Sequence, residues 1–314
     1  MFSQALKQPV VTRFAPSPTG RMHAGNIFSY LYAWLLAKRL EGRVLLRIED
    51  LDNTRSRASY ADQIKRDFEM LGLYWDGEAP CQSQRYDTYT QAFEKLEKLG
   101  LTYPCFCTRA DIHAASAPHK GEQLVYPGTC ALLTPSQRSV RLQELKQEGR
   151  KPSTRIRIGA KTIGFHDLVQ GEQSFSCADE CGDFVIRRSD GGYAYQLAVV
   201  VDDADQGVNL VVRGADLLAS TPMQIYLQQL LELDQPNYAH VPLICTQDGR
   251  RIAKRDLDAS LDELLSHYKS VEGVLGHIAF IAGLIDSDQA VSAQDLLKSA
   301  QLSAVEGIKK IVWR

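Results

Sequence analysis

No stretch of this 314-residue chain stays apolar for as long as about eighteen residues, so no membrane-spanning helix is expected. The opening residues, Met1-Phe2-Ser3-Gln4-Ala5-Leu6-Lys7, lack the apolar core of a secretory leader, and a cytoplasmic protein is expected. Strong charge of either sign is missing too. The 36 Lys and Arg stand against 38 Asp and Glu, a formal net charge of −2. That excludes a general nucleic-acid coat but leaves room for a local RNA contact. There is no internal repeat and no low-complexity segment. Seven cysteines are an odd number for a disulfide framework. In an intracellular chain they point instead to metal binding, catalysis or burial. What is present is ordinary for a globular protein, with 44% hydrophobic and 24% charged residues. The length suggests about two domains.

Strand and helix signals alternate from the start. Pro9–Thr12 reads as a strand. Ile27–Leu40 reads as a helix, with Phe28, Leu31, Leu35 and Leu36 on one side and Gly42 closing it. Arg43–Ile48 has the pattern of a buried strand, and two further helices, Tyr60–Leu71 and Tyr86–Leu99, end at Gly72 and Gly100. This order predicts an α/β fold with a parallel sheet and right-handed crossovers. From Thr102 to about Pro152 the period breaks, and an insertion packed on the main domain is expected. Strands resume at Arg155–Ile158 and Asp183–Arg187. A short apolar stretch, Tyr195–Val201, ends in Asp202-Asp203. A strand at Asn209–Gly214, a helix at Thr221–Leu233 and a strand at His240–Cys245 follow. Beyond Leu257 only helical patterns remain, and their acidic lean reads as a solvated surface.

Four clusters carry chemistry. The run Arg13-Phe14-Ala15-Pro16-Ser17-Pro18-Thr19-Gly20-Arg21-Met22-His23-Ala24-Gly25 turns a strand into a helix through a tight Pro/Gly turn. Free backbone N–H groups and the positive helix end converge there on a place for an anion. His23, at the helix entrance, can donate to a phosphate. Residues 1–60 hold nine Lys and Arg against four Asp and Glu, so this region is locally positive. Downstream, Asp248-Gly249-Arg250-Arg251-Ile252-Ala253-Lys254-Arg255 offers mobile cations suited to a triphosphate. The strand at Leu46 ends in Glu49, Asp50 and Asp52, where a carboxylate can hold an ammonium group. A plainer reading, kept for Asp50 and Asp52, is an acidic loop pairing with Arg47 or Arg55. Arg213 closes an apolar strand, and its planar fork suits a carboxylate. The plainer reading there is a buried salt bridge, for example to Asp216.

Cys105, Cys107 and Cys130 gather three thiols in the irregular insertion. Zinc wants four ligands, and by ligand chemistry His113 and His119 are the ordinary candidates for the fourth place. Cys177 and Cys181 are expected to be unbound, and Cys81 and Cys245 to be plain thiols. His166, His240, His267 and His277 read as packing or solvated histidines.

The block R-F-A-P-S-P-T-G resembles the first signature of the glutamyl-tRNA synthetases, class I enzymes whose paired motifs are written HIGH and KMSKS. His23-Ala24-Gly25-Asn26 stands for the first motif without its final His. The basic run resembles the second, with Lys254 at its second lysine and Arg251, Ala253 and Arg255 at the first lysine, first serine and last serine. The resemblance covers Arg13 to Arg255. It implies a Rossmann-like, parallel-sheet class I synthetase catalytic domain with an inserted zinc-binding subdomain and a short C-terminal helical region. The implied division is 1–101 (first half of the catalytic domain), 102–152 (inserted zinc-binding, acceptor-like subdomain), 153–256 (second half with the KMSKS-like loop) and 257–314 (stem-contact-like helices).

The resemblance also implies roles. Glu49 takes the α-amino group of glutamate, and Arg13, Ala15, Ser17, Tyr195 and Arg213 complete the amino-acid pocket. Pro16, Thr19, Gly20, His23, Gly25, Arg251 and Lys254 bind ATP, with Mg²⁺ bridging phosphate oxygens, and His23 and Lys254 are catalytic. Tyr126, as phenolate, completes a structural zinc set with Cys105, Cys107 and Cys130. Full-length glutamyl enzymes continue into a large anticodon-binding domain, and here only residues 257–314 follow the last motif. The chain thus resembles a truncated branch, the glutamyl-queuosine tRNA(Asp) synthetases. That implies a monomer that activates glutamate with ATP without tRNA and transfers it to queuosine in the anticodon of tRNA(Asp). The anticodon stem-loop would lie where full-length relatives hold the acceptor stem. The other readings are a short glutamyl-tRNA synthetase charging a tRNA 3′ end, a non-catalytic RNA- or adenylate-binding regulator, and a small-molecule nucleotidyltransferase.

Overall fold

The computed structural model describes residues 6, 9–52, 54–108, 110–112, 125–250 and 260–313. Strand β1 (Val11–Phe14) leads through the Pro/Gly turn into helix α1 (Ala24–Arg39), and β2 (Arg43–Leu46) returns parallel to β1. Helix α1 is buried on most of its surface, because Ile27, Phe28, Leu31, Leu35 and Leu36 leave it no polar face to turn outward. Helix α2 (Ala58–Met70) follows, then the short parallel strand β3 (Gly77–Glu78) and α3 (Tyr86–Lys98).

The middle of the chain holds β4 (Thr102–Cys105), α4 (Pro135–Gln147), β5 (Ser153–Ile156), β6 (Thr162–Asp167), β7 (Gly171–Ser176) and β8 (Phe184–Arg187). Helix α5 (Tyr195–Asp205), β9 (Leu210–Gly214), α6 (Thr221–Leu231), β10 (Asn237–Val241) and β11 (Leu243–Cys245) come next. The C-terminal part adds α7 (Leu261–Tyr268), α8 (Val271–Ile281), α9 (Ala293–Ser299) and β12 (Lys310–Val312). Among the described residues no helix is long and apolar enough to cross a membrane.

The expected parallel sheet is present in two abutting parts. One has the order β1-β2-β3, and the other β7-β6-β10-β9, in which β6, β10 and β9 run parallel and β7 is a hairpin partner of β6. They meet where Asn209 N–H donates to the Val11 carbonyl (3.0 Å) and Val11 N–H donates to Asn209 Oδ1 (2.9 Å). From β1 the chain winds away through α1, and from β9 it winds away through α6 in the other direction. The β1/β9 seam is therefore the place where strand order reverses, and a crevice opens beyond the strand ends there.

Two expectations change, and one apolar stretch that carried no assignment takes helical form. The strands at Arg155–Ile158 and Asp183–Arg187 do not rejoin the parallel sheet; β4, β5 and β8 form a separate antiparallel one. The boundary drawn at residue 152 thus falls inside a sheet, since Thr102–Cys105 pairs with Ser153–Ile156. The stretch from Tyr195 is a helix, α5, although its three consecutive valines suit a strand. The tail is not wholly helical, because β12 pairs parallel with β11 and ties the C-terminal part to the main domain.

Candidate active site

The crevice at the seam is a cavity of about 450 Å³. Its wall includes Arg13, Ala15, Pro16, Ser17, Thr19, Gly20, His23, Gly25, Glu49, Tyr195 and Arg213, so every described residue expected to meet glutamate or ATP lines one pocket. Arg251 and Lys254 lie outside the described residues. The described chain on either side of them stays beside the pocket: Leu243 and Ile244 line it, and Ser260 bridges to His23.

The turn is built for its position. Gly20 takes φ +144°, a backbone region that side chains disfavour. His23 is the N-cap of α1. Its Nδ1 accepts from Asn26 N–H (3.4 Å), and Asn26 Oδ1 accepts from His23 N–H (3.4 Å). With Nδ1 as acceptor, a neutral ring would carry its proton on Nε2. A Cβ on Gly25 would stand 3.1 Å from His23 Cε1, so the glycine makes room for the imidazole over the first turn.

The floor is an ion network spread over three elements. Arg13 on β1 donates from Nε to Asp203 Oδ1 on α5 (3.1 Å) and from Nη1 to the Val212 carbonyl on β9 (3.2 Å). Arg47, fully buried just past β2, donates to the same Asp203 oxygen (2.6 Å), to Gln206 Oε1 (2.8 Å) and to Glu49 Oε1 (3.0 Å). Burial pushes the Asp203 carboxyl up, but Arg13 and Arg47 overcome it and hold the group below the usual carboxylate range. Burial also pushes up Glu49, and there Arg47 and Arg13 offset only part, so its carboxyl stays above the usual range. The Tyr195 phenol is raised by burial, with Arg213, Glu49, Arg13 and Asp203 all acting on it, which places it among the charged groups.

Arg213, at the end of β9, is buried and takes neutral partners. Its Nε donates to His240 Nε2 (3.0 Å) and its Nη2 to Thr221 Oγ1 (3.0 Å), while Nη1 has no hydrogen-bond partner among the described residues. His240, expected to be a packing histidine, is therefore part of the site. Asp52 pairs with Arg55, as the plainer reading held, whereas Asp50 accepts from Ser83 rather than from an arginine. Tyr30, Arg47, Asp203, Thr221 and His240 were not assigned to the site from sequence. For Arg47 and Asp203 a signal existed, since charged residues inside apolar runs need buried partners.

The second polar cluster sits on the antiparallel sheet. The Sγ atoms of Cys105, Cys107 and Cys130 all lie within 4.8 Å of one another, with Cys107 and Cys130 at 3.5 Å. Tyr126 Oη is 3.6 Å from Cys105 Sγ and 3.7 Å from Cys107 Sγ. The edge of a zinc tetrahedron with ~2.3 Å bonds to sulfur is about 3.8 Å, so the three thiols fit the metal in kind and spacing, with the Tyr126 oxygen at a similar distance. The Cys105 thiol is pulled below its ordinary value, first by the Cys130 hydrogen bond and then by Arg155, whose Nε is 3.2 Å from Cys105 Sγ. Burial and the neighbouring thiols hold the Tyr126 phenol above its ordinary value, so a cation would have to displace its proton. His113 and His119 lie outside the described residues. Cys177 and Cys181 are both buried, away from this cluster.

A parallel α/β sheet opens at its seam onto a Pro/Gly turn at a helix start, above a floor of buried ions, and this is the architecture of a class I tRNA synthetase catalytic domain. The chain belongs to the family described as tRNA synthetases class I (E and Q), catalytic domain, whose model matches residues 9–276. It is 44% identical over 305 residues to the Glutamyl-Q tRNA(Asp) synthetase of Symbiobacterium thermophilum, covering 93% of each chain. It is 48% identical over 256 residues to the protein of that name from Geobacter sulfurreducens, covering 81% of this chain and 78% of the relative. A crystal structure of a glutamate tRNA ligase from Elizabethkingia meningosepticum in complex with its amino acid superposes with a TM-score of 0.79 at 24% identity. That match covers 98% of this chain and 67% of the other, and it bears out the fold.

Proposed function

We propose that this chain activates L-glutamate with ATP, without tRNA, and transfers the glutamyl group to queuosine in the anticodon of tRNA(Asp). The observation that carries the choice of amino acid is the group-for-group match of the pocket. Two guanidinium groups, Arg13 and Arg213, and one carboxylate, Glu49, face a substrate with two carboxylates and one ammonium. Arg213 lines the pocket and spends its hydrogen bonds on the neutral His240 and Thr221, which leaves its charge for a carboxylate. Glutamine would leave a buried guanidinium without its anion, a costly loss. The relatives that this chain matches over most of both lengths support queuosine as acceptor.

In the first step the α-carboxylate of glutamate attacks the α-phosphorus of Mg–ATP. A carboxyl O–P bond forms, the bond to the bridging oxygen breaks, and pyrophosphate leaves. Positive charge at the turn stabilises the transition state, with His23 Nε2–H donating to phosphate and Lys254 supplying a further cation. In the second step a ring hydroxyl of queuosine attacks the activated carbonyl and AMP leaves. Positioning and electrostatics suffice, and no side chain need act as nucleophile.

Cys105, Cys107, Cys130 and Tyr126 would hold a structural zinc that ties the segment after β4 to its sheet. We divide the chain into a catalytic domain in two parts (1–101 and 153–256), an inserted unit (102–152) whose sheet borrows β5 and β8, and a helical region (257–314). A reaction on tRNA(Asp) fits a cytoplasmic enzyme, and its partners would be glutamate, ATP and a tRNA(Asp) anticodon stem-loop.

The test is exchange of labelled pyrophosphate into ATP. It should depend on glutamate, proceed without tRNA and be negligible with glutamine. Exchange that is absent, or that requires tRNA, would contradict the reading.

A further inference from the structure

Asp167, His240 and Arg213 lie on β6, β10 and β9, three neighbouring parallel strands, and form a continuous hydrogen-bonded line across the sheet. All three are buried. Asp167 Oδ1 accepts from the backbone N–H of Val169 (3.0 Å), Gln170 (2.8 Å) and His240 (3.1 Å), which fixes the carboxylate at the strand end. Its Oδ2 stands 2.6 Å from His240 Nδ1. A carboxylate can only accept there, so Nδ1 carries the imidazole proton and Nε2 presents a lone pair. That lone pair receives Nε–H of Arg213 at 3.0 Å.

We infer that Asp167 and His240 are positioning residues that aim the Arg213 guanidinium at a substrate carboxylate while leaving its charge unspent. The inference rests on the glutamate reading of the pocket. A carboxylate in direct contact would have oriented Arg213 equally well but would have competed with the substrate. A neutral imidazole supplies the acceptor without the charge, and the anion that sets its tautomer stands one residue further away. Arg13 shows the contrasting arrangement, because its Nε is given directly to the carboxylate of Asp203. Thr221 completes the clamp by accepting from Nη2, so of the three guanidinium nitrogens only Nη1 is without a partner among the described residues.

The test is the steady-state pyrophosphate-exchange assay on full-length Asp167→Asn, His240→Leu and His240→Gln, with melting temperatures measured in parallel. Asp167→Asn is isosteric and can keep the backbone donors on its oxygen. Its amide then faces His240 Nδ1, which moves the imidazole proton to Nε2 and sets it against Arg213 Nε–H. We expect KM for glutamate to rise roughly 10- to 100-fold in Asp167→Asn and His240→Leu, the loss of one charged hydrogen bond. KM for ATP should stay near the wild-type value. His240→Gln, whose amide oxygen can replace Nε2 as acceptor, should recover most of the glutamate affinity.

A glutamate KM unchanged in Asp167→Asn, a parallel rise in both KM values, or no recovery in His240→Gln would each overturn the inference. Wild-type protein without glutamate-dependent exchange would instead overturn the reading of the pocket itself, and the two failures are therefore distinguishable.

Discussion

The chain builds two tight polar clusters, and they are held in opposite ways. At the seam, Arg13 on β1, Arg47 and Glu49 just past β2, and Asp203 on α5 come together, and each charge meets an opposite charge that the fold supplies. On the antiparallel sheet, three thiols and a phenol approach within about the spacing of a zinc tetrahedron. There the nearby protein cation is Arg155, which lies over the Tyr126 ring at 3.8 Å. The first cluster is complete in cohesion and open toward a reactant. The second gathers donors that a cation could bridge. A pocket whose ligand comes and goes must be preformed, whereas a structural site can borrow its cohesion from a metal that stays.

The largest effect should come from breaking the seam network. Asp203→Asn leaves Arg13 and Arg47 charged and short of an anion, and should cost roughly 3–5 kcal/mol of stability, read from urea unfolding. A near-neutral result would mean that the floor does not depend on that carboxylate. Next, Arg213→Lys keeps the charge but loses the fork that holds His240, Thr221 and substrate together. The kcat/KM for glutamate should fall roughly 100-fold with little change in KM for ATP. An equal loss for both substrates would move Arg213 out of the amino-acid pocket.

The third prediction concerns pH. Burial pushes the His240 imidazole down to about 4, against the pull of Asp167. The unfolded chain takes up a proton near pH ~6.5 that the folded chain refuses until about pH 4. The folded state should therefore keep this contribution above pH ~6.5 and lose up to about 3 kcal/mol as pH falls through that window. In His240→Gln that part of the slope should vanish, and an unchanged slope would assign it to other groups. The smallest effect on the pocket should come from the other cluster. Cys107→Ser should abolish bound zinc in metal analysis and lower the melting temperature, yet leave KM for glutamate within roughly threefold if the two sites are independent. A large KM change would join them.

The motif residues were legible because their chemistry is local. A turn, a helix start and a strand end put His23, Gly20, Gly25, Glu49 and Arg213 where neighbouring residues already placed them. Their supports were not, since Arg47 meets Asp203 across 156 positions and His240 meets Asp167 across 73. No local period carries such a pairing. The same reason hid the β4-β5-β8 sheet and β12, whose partners are distant in sequence. Helix α5 was obscured differently: strand propensity in Val199-Val200-Val201 was overruled by the packing that brings Asp202 and Asp203 inward to Arg85 and Arg47.

On this reading, glutamate activated in the pocket ends on a modified anticodon base. The direct measurement is transfer of labelled glutamate to tRNA(Asp), with and without queuosine, after enzymatic trimming of the 3′-terminal adenosine. Label that survives trimming and requires queuosine is the predicted result. Label that trimming abolishes would place glutamate on the 3′ end and contradict the claim.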